Sequence, residues 1–376
     1  MPDRGLQLQS TLRRSGELFI ELAHVRVRPP TADEVVVRMV ATPINPSDLV
    51  GLLSGVDVSH AQFSGSPDRP RVSIQLPHDA VSARSARLNL PMEVGLEGAG
   101  VVVAAGEYCS SWVGQNVALF TLARGALAQY VTVPTSVCVP LPRDLSLREG
   151  CALFVNPLAA LAIAETVKLA AQSALVQTAA ASNLGQMLLR ICQEDGLALV
   201  NIVRRAEQAE LLREMGASYV CNSSSPNFSA ELTRAITETG ARVGFDATGG
   251  GSLANEILLA MEAAAASKLT AYSPYGSLEM KHIYVYGRLD PAPMQIMHDR
   301  YGLQWRVEAW AMPAILERIG PERSQGLRQR IIASAKTTFA STFTHQVSLA
   351  DVLLKENMVA YCRQSTGQKC LVYQDS

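Results

Sequence analysis

A short apolar run, Ala174-Leu175-Val176-Gln177-Thr178, opens into small residues, Ala179-Ala180-Ala181-Ser182-Asn183, and then into a segment where Leu184, Met187, Leu188 and Ile191 recur at helical spacing. The run has the length of a buried parallel strand, the small residues permit a tight turn, and the stripe predicts a helix that stops at Gly196. Residues 197–203 read as a second buried strand. Strand, turn, helix and strand in that order restrict the architecture to a parallel sheet with crossover helices.

The turn has a chemical reading. Unpaired amides and the helix dipole at the start of the helix favour an anion such as a pyrophosphate. Of the three glycines common in dinucleotide-binding turns only Gly185 is present, with Ala181, Ser182 and Asn183 at positions where close backbone approach favours glycine. Nineteen residues beyond Gly185, the pair Arg204-Arg205 ends the second strand, where such folds usually keep an acid. A carboxylate there accepts bonds from a ribose 2′-OH, whereas a guanidinium grips a 2′-phosphate. The expected cofactor is therefore NADP(H) in preference to NAD(H), held by Ala180, Ala181, Ser182, Asn183, Leu184, Gly185, Arg204 and Arg205. The two arginines equally suit the solvated start of a helix over residues 206–215.

The chain has 376 residues, 48% of them hydrophobic, enough for two domains with their own cores. Thirty-three basic against 34 acidic residues leave a net charge of −1, which implies neither a nucleic-acid nor an acidic-membrane partner. The cysteines at 109, 138, 151, 192, 221, 362 and 370 form no Cys-x-x-Cys pair or cysteine–histidine metal spacing, and their odd number suits reduced, buried thiols. The amino end lacks the apolar stretch of a signal peptide, and no segment offers the roughly 18 apolar residues of a membrane span. The expectation is a soluble, cytoplasmic protein.

Three regions follow from the change of rhythm: 1–155, 156–336 and a return at 337–376. The first is β-rich, with strands expected at residues 18–27, 35–41, 100–104, 117–122 and 129–134. From Asn156 strands and helices alternate, the further strands being 219–222, 243–248, 268–272 and 283–287, with helices at 231–238 and 253–265. Strand-like segments near 344–347 and 369–372 fold the tail back onto the first region. The cleft between the two domains is the default ligand site. Residues 56–91 lack sustained periodicity and read either as a substrate lid or as an ordered surface loop with a short helix near 80–88.

Five further motifs complete the pattern: Pro43-Ile44-Asn45-Pro46-Ser47-Asp48, Gly95-Leu96-Glu97-Gly98-Ala99-Gly100-Val101-Val102, Gly125-Ala126-Leu127-Ala128-Gln129-Tyr130, Val155-Asn156-Pro157-Leu158-Ala159-Ala160 and Phe245-Asp246-Ala247-Thr248-Gly249-Gly250. In order and spacing the chain resembles the medium-chain dehydrogenase/reductase superfamily, and within it the zinc-independent quinone oxidoreductase and enoyl reductase branch. The resemblance implies an α/β fold: a doubly wound Rossmann parallel sheet plus a β-rich GroES-like catalytic domain, commonly in a homodimer. It adds Thr248 and Gly249 to the cofactor residues.

Alcohol-oxidising relatives hold zinc with cysteine, histidine and a second cysteine or acid. Here Asn45, Leu96 and Asn156 stand in those regions, so no zinc is expected; Glu97 remains and reads as a structural hydrogen-bonding residue rather than a ligand. The resemblance then implies a metal-free NADPH-dependent reductase that delivers hydride to an activated C=C or a quinone. Asn45, Asp48 and Asn156 are the candidates for orienting nicotinamide or substrate, although each equally suits a turn cap. The tyrosine proton donor of enoyl reductases is missing, since Val56-Asp57-Val58 follows Gly55; Tyr272 is carried as a substitute, and a core or interface tyrosine is the other reading. The competing functions are an NADPH-binding redox sensor or crystallin-like protein with little turnover, an enoyl thioester reductase and, third, a zinc alcohol dehydrogenase.

Overall fold

The computed structural model describes residues 2–66, 69–121, 125–363 and 369–374. Contacts divide it into two units, Met1–Val155 with Ile332–Ser376, and Asn156–Ile331.

Period-two alternation builds the first unit, and it starts earlier than residue 18. Leu6, Leu8, Ser10 and Leu12 alternate in β1 (Arg4–Leu12), which pairs antiparallel along its whole length with β2 (Glu17–Arg26). After β3 (Glu34–Pro43) and α1 (Pro46–Leu53) comes the hairpin β4 (Gln62–Ser66) and β5 (Arg69–Gln75), then α2 (His78–Ser82) and β6 (Pro91–Glu93). The first sheet runs β4-β5-β2-β1-β6. Its apolar face, with Leu8, Leu12, Leu18, Ile20, Val72 and Ile74, closes a core against Leu49, Leu52 and Leu53 of α1. Residues 56–91 are thus built of a hairpin, two 3-10 turns and α2; residues 67 and 68 lie outside the described residues.

The second sheet adds β7 (Glu97–Ala105), β8 (Asn116–Phe120), β9 (Tyr130–Pro134) and β10 (Cys138–Pro140). Short α3 (Leu147–Gly150) follows, started by the Ser146 hydroxyl accepting the Glu149 amide. Leu122, expected at the end of a strand, is outside the described residues.

The second unit is the alternating one. It contains α4 (Val155–Leu169, its first residue in unit 1), β11 (Ala174–Gln177), α5 (Asn183–Asp195), β12 (Ala198–Val203), α6 (Ala206–Glu214), β13 (Tyr219–Asn222), α7 (Phe228–Thr239), β14 (Val243–Asp246), α8 (Leu253–Ala266), β15 (Lys281–Val285), β16 (Trp305–Ala309) and α9 (Met312–Ala333, its last two residues in unit 1). All its strands are parallel, in the order β13-β12-β11-β14-β15-β16. The order reverses between β11 and β14, the switch point at which open α/β sheets bind ligands beyond their carboxyl ends. One face buries Val176, Val200, Ile202 and Ile283 against Leu232 and Ile236 of α7 and Ile257, Leu258 and Met261 of α8.

One expected strand is absent. Residues 268–272 are exposed and irregular, and the place beside β14 is taken by Lys281–Val285. A central parallel strand is buried on both faces and needs a nearly continuous apolar run. His282-Ile283-Tyr284-Val285 meets that need, while Lys268-Leu269-Thr270-Ala271 offers one large apolar side chain.

The chain returns to the first unit through β17 (His345–Val347), α10 (Lys355–Cys362) and β18 (Cys370–Tyr373). Strand β18 pairs with β3, which completes the second sheet in the order β10-β8-β7-β3-β18-β17, with β9 also on β3. Residues 364–368 lie outside the described residues.

Candidate functional site

In the second unit the glycine-poor turn is built by other means. Ala179 takes a φ of +49°, the left-handed conformation that glycine adopts without strain, at a cost of about 1–2 kcal/mol. Ser182 is the N-cap of α5, its hydroxyl accepting the Gly185 amide at 3.1 Å. Gly185 is obligatory: a Cβ there would lie 2.3 Å from the Ala180 carbonyl oxygen. Beneath the turn, the buried Gln177 amide donates to the Gly185 carbonyl at 3.1 Å and to Asn201 Oδ1 at 2.7 Å, and Asn201 Nδ2 donates to the Tyr219 carbonyl at 3.1 Å. This amide ladder crosses β11, β12 and β13 and fixes the first turn of α5 to the sheet. Sequence reading passed over it, because Gln177 and Asn201 look like interruptions of apolar strands.

Asp246 organises the neighbouring loop. Its Oδ1 accepts the Thr178 hydroxyl and the Thr248 amide, both at 2.8 Å, and its Oδ2 accepts the Gly249 amide at 3.1 Å. Gly249 has a φ of +68°, and a Cβ would meet the Gly287 carbonyl oxygen at 2.2 Å. Ala180, Ala181, Ser182, Asn183, Leu184, Gly185, Thr248 and Gly249 thus lie at the carboxyl ends of β11 and β14, the two strands flanking the switch point.

Arg204 and Arg205 follow β12 and are exposed. Their backbone amides both donate to Gln208 Oε1 at 3.1 Å, and Ser224 Oγ donates to the Arg204 carbonyl at 2.8 Å. Among the described residues neither guanidinium has an ion-pair partner. Helix α6 begins at Ala206, so the pair stands where both sequence readings put it, at a strand end and at a helix start.

Tyr272 is 92% exposed on the irregular segment that replaces the expected strand, so the strand that was to position it does not exist. Asn156 lies in the first turn of α4.

The first unit gathers a buried polar cluster. Asn45 is the N-cap of α1, and Pro46 fixes the first helical residue. Asp48, 3% exposed, accepts the Asn45 amide at 2.7 Å on Oδ2 and the Leu96 amide at 2.9 Å on Oδ1. Glu97, fully buried, accepts Asn45 Nδ2 at 2.9 Å on Oε1, and the Phe154 and Val155 amides, each at 2.9 Å, on Oε2. Burial pushes the Asp48 carboxyl up to about 7, with Glu97 adding to the rise and the two backbone donors and Lys369 opposing it. Lys369 is 9% exposed, and among the described residues its Nζ has no hydrogen-bond partner. Burial lowers its pKa, against the pull of Glu97, Cys151 and Asp48.

Asn45 and Asp48 therefore come together, with Asn45 joined by hydrogen bonds to both Asp48 and Glu97, and both belong to the capping box of α1, the alternative reading of each. After Gly55, Asp57 Oδ1 accepts the Ser59 amide at 2.9 Å and starts a 3-10 turn. The Asn45–Glu97 cluster does not fit a zinc ion: Leu96 offers no donor, the Glu97 oxygens are taken by three N–H groups, and among the described residues no three His, Cys, Asp or Glu side chains are grouped to hold a metal. The seven cysteines are all free thiols, six of them buried. Among the described residues no helix is long and apolar enough to cross a membrane.

Comparison with known proteins agrees with this architecture. Residues 31–143 match the alcohol dehydrogenase GroES-like domain. The mitochondrial enoyl-[acyl-carrier-protein] reductase of Xenopus tropicalis is 26% identical over 207 residues, covering 54% of this chain and 51% of that protein. The chain spans about half the length of the curated relatives it matches. Over its whole length it shares the fold of a Mesorhizobium loti protein assigned as an NADPH:quinone reductase, with a TM-score of 0.74 and 24% identity over 100% of this chain and 99% of the other. The Escherichia coli quinone oxidoreductase, solved with NADPH, gives a TM-score of 0.68 and 16% identity over 98% and 100% of the two chains. The first unit thus carries the alcohol dehydrogenase GroES-like domain over residues 31–143, and the whole chain, with a parallel sheet whose strand order reverses between β11 and β14, shares the fold of these solved structures.

Proposed function

We propose that the protein is an NADPH-dependent reductase that transfers hydride to an activated C=C or quinone, working without a metal. The observation that carries this reading is the pair of exposed guanidinium groups at the end of β12, without an ion-pair partner among the described residues, where an acid would select NAD(H). The obligatory Gly185 and the capped start of α5 fit a pyrophosphate in the same unit. Its structural neighbours include a quinone oxidoreductase solved with NADPH.

In this reading NADPH, when bound, supplies the hydride. The first turn of α5 and the 180–185 backbone hold the pyrophosphate, Arg204 and Arg205 hold the 2′-phosphate, and Thr248 and Gly249 border the ribose and nicotinamide half. Asn45 and Asn156 orient nicotinamide or substrate through their amides, and Asp48 fixes Asn45 through its backbone N–H. The proton that completes reduction comes from solvent or from a side chain. Tyr272 remains the proposed donor of the second kind. The acceptor is a small enone or quinone, and the assembly is proposed as a homodimer in the cytoplasm.

The test is consumption of NADPH and NADH with a panel of quinones and enones, together with fluorescence titration of both nucleotides. The expected result is turnover with NADPH favoured, and in Arg204→Asp/Arg205→Ser a loss of NADPH affinity of about a hundredfold or more with NADH little changed, as for the loss of two charge-assisted contacts. Equal losses for both nucleotides refute the phosphate grip. Saturable binding with no turnover on any acceptor would leave a nucleotide-binding protein instead. Enoyl thioester reduction is the second reading, favoured by the half-length similarity to the mitochondrial reductases; reduction of crotonyl thioesters but not quinones would select it.

A further inference from the structure

The Lys369 ammonium is buried, and among the described residues no acceptor meets it. Its place follows from the sheet. Strand β18 begins one residue later, the Cys370 carbonyl accepts the Ile44 amide at 3.0 Å, and Leu371 pairs with Pro43. The chain just before β18 therefore runs beside the residues that lead into Asn45. The Lys369 carbonyl also accepts the Thr344 amide at 3.1 Å, which fixes the backbone on its other side.

Five N–H groups in this cluster point at two carboxylates: the Asn45 and Leu96 amides at Asp48, and Asn45 Nδ2 with the Phe154 and Val155 amides at Glu97. A protonated carboxyl presents an O–H where the network needs an acceptor. Each Asp48 oxygen accepts one N–H, so a proton on either oxygen competes with one of those donors. Two buried carboxylates repel each other, and a counter-charge in the same desolvated space relieves that repulsion. The charged or titratable groups bearing on this space are Lys369 before β18, Glu97 on β7, Asp48 on α1, and Cys151 and Arg148 beside α3. Arg148 and Lys369 both lie over the Phe343 ring, the guanidinium carbon 5.6 Å and the ammonium 5.7 Å from its centroid.

We propose that Lys369 is a positioning residue: its buried ammonium favours the carboxylate form of Asp48, and through it the orientation of the Asn45 backbone amide. This rests, for its bearing on catalysis, on the reductase reading, while its electrostatic content stands alone. Lys369 touches neither carboxylate by a hydrogen bond and acts by charge. Its effect falls on Asp48 most, since that carboxyl titrates near neutral pH. Loss of the charge raises the share of Asp48 that is protonated at neutral pH, and in that share the Asn45 or Leu96 N–H faces a donor.

The test uses the full chain with 13C-labelled aspartate carboxyls, the Asp48 resonance being assigned with Asp48→Asn. In wild type the resonance is expected to titrate with a midpoint near 7. Lys369→Met raises the midpoint by about one unit or more, and Lys369→Arg restores it. The acid limb of the NADPH-driven rate moves by the same amount, with the change in kcat rather than KM. An Asp48 midpoint that stays put in folded Lys369→Met overturns the proposal. If Lys369→Met does not fold, the double variant Lys369→Met/Asp48→Asn, which removes both charges together, recovers folding; failure to recover also overturns it. A protein whose midpoint moves as stated but which reduces no acceptor supports the positioning role and sinks the reductase reading.

Discussion

Replacing Asp48 by asparagine removes one titrating proton from the core of the first unit, and the effect on stability can be worked through. The carboxyl has a pKa of about 7 in the folded chain against an ordinary 3.8. Because the folded value lies above the unfolded one, the unfolded chain gives up this proton first as pH rises. Stability is fully present below pH ~4, falls by up to about 1.4 kcal/mol per pH unit between the two values, and is lost by pH ~8, about 4 kcal/mol in all. From pH 5 to pH 8 this one group costs wild type about 2.6 kcal/mol. Asparagine carries no such slope.

Asparagine also has a single acceptor oxygen for two N–H groups, those of Asn45 and Leu96. One of them is left facing an amide NH2, a pH-independent loss of about 1–3 kcal/mol. The variant is therefore expected about 1–3 kcal/mol less stable than wild type at pH 5, with the difference closing by about 2.6 kcal/mol to near parity or slightly above at pH 8. Urea unfolding at half-unit intervals from pH 5 to 8, followed on both proteins in the same buffers, measures the difference directly. Other titrating groups cancel in that subtraction. Parallel curves across the range would refute the reasoning, since they mean that Asp48 enters the fold as an ordinary carboxylate.

Gly185→Ala is expected to lower stability by about 1–3 kcal/mol and to weaken NADPH binding in the same variant, because backbone rather than a flexible side chain blocks the new Cβ; denaturant midpoints and nucleotide titration check both. Ser182→Ala should cost about 1 kcal/mol and Ser182→Gly only a few tenths, the ranking expected if the hydroxyl caps α5, and equal losses would remove the cap from the account.

How much of this could be read beforehand depended on the range of the interaction. The unit from Ala174 to Arg205 was legible because strand, turn, cap and helix are set by residues a few positions apart, and β11, α5 and β12 lie where local rules put them. The polar alternatives were legible too: Asn45 and Asp48 do cap α1, and Glu97 is a hydrogen-bonding hub. Alternation in Leu6, Leu8 and Leu12, and in Val72 and Ile74, carried signals for β1 and β5 that were overlooked rather than missing. The false strand at 268–272 is a different failure. A five-residue pattern says that a segment tolerates extended backbone, whereas only competition for the one place beside β14 decides which segment takes it, and Ile283 and Val285 win by the apolar surface they bury there. Lys369 belongs to the same class. Nothing local marks a lysine before a short strand as the counter-charge of two acids more than 270 residues away; β18 joining β3 creates that relation. The chemistry least visible in a sequence is thus the chemistry produced by strand pairing, and in this chain it is the pairing of the returning tail that supplies a cation to the Asn45 cluster.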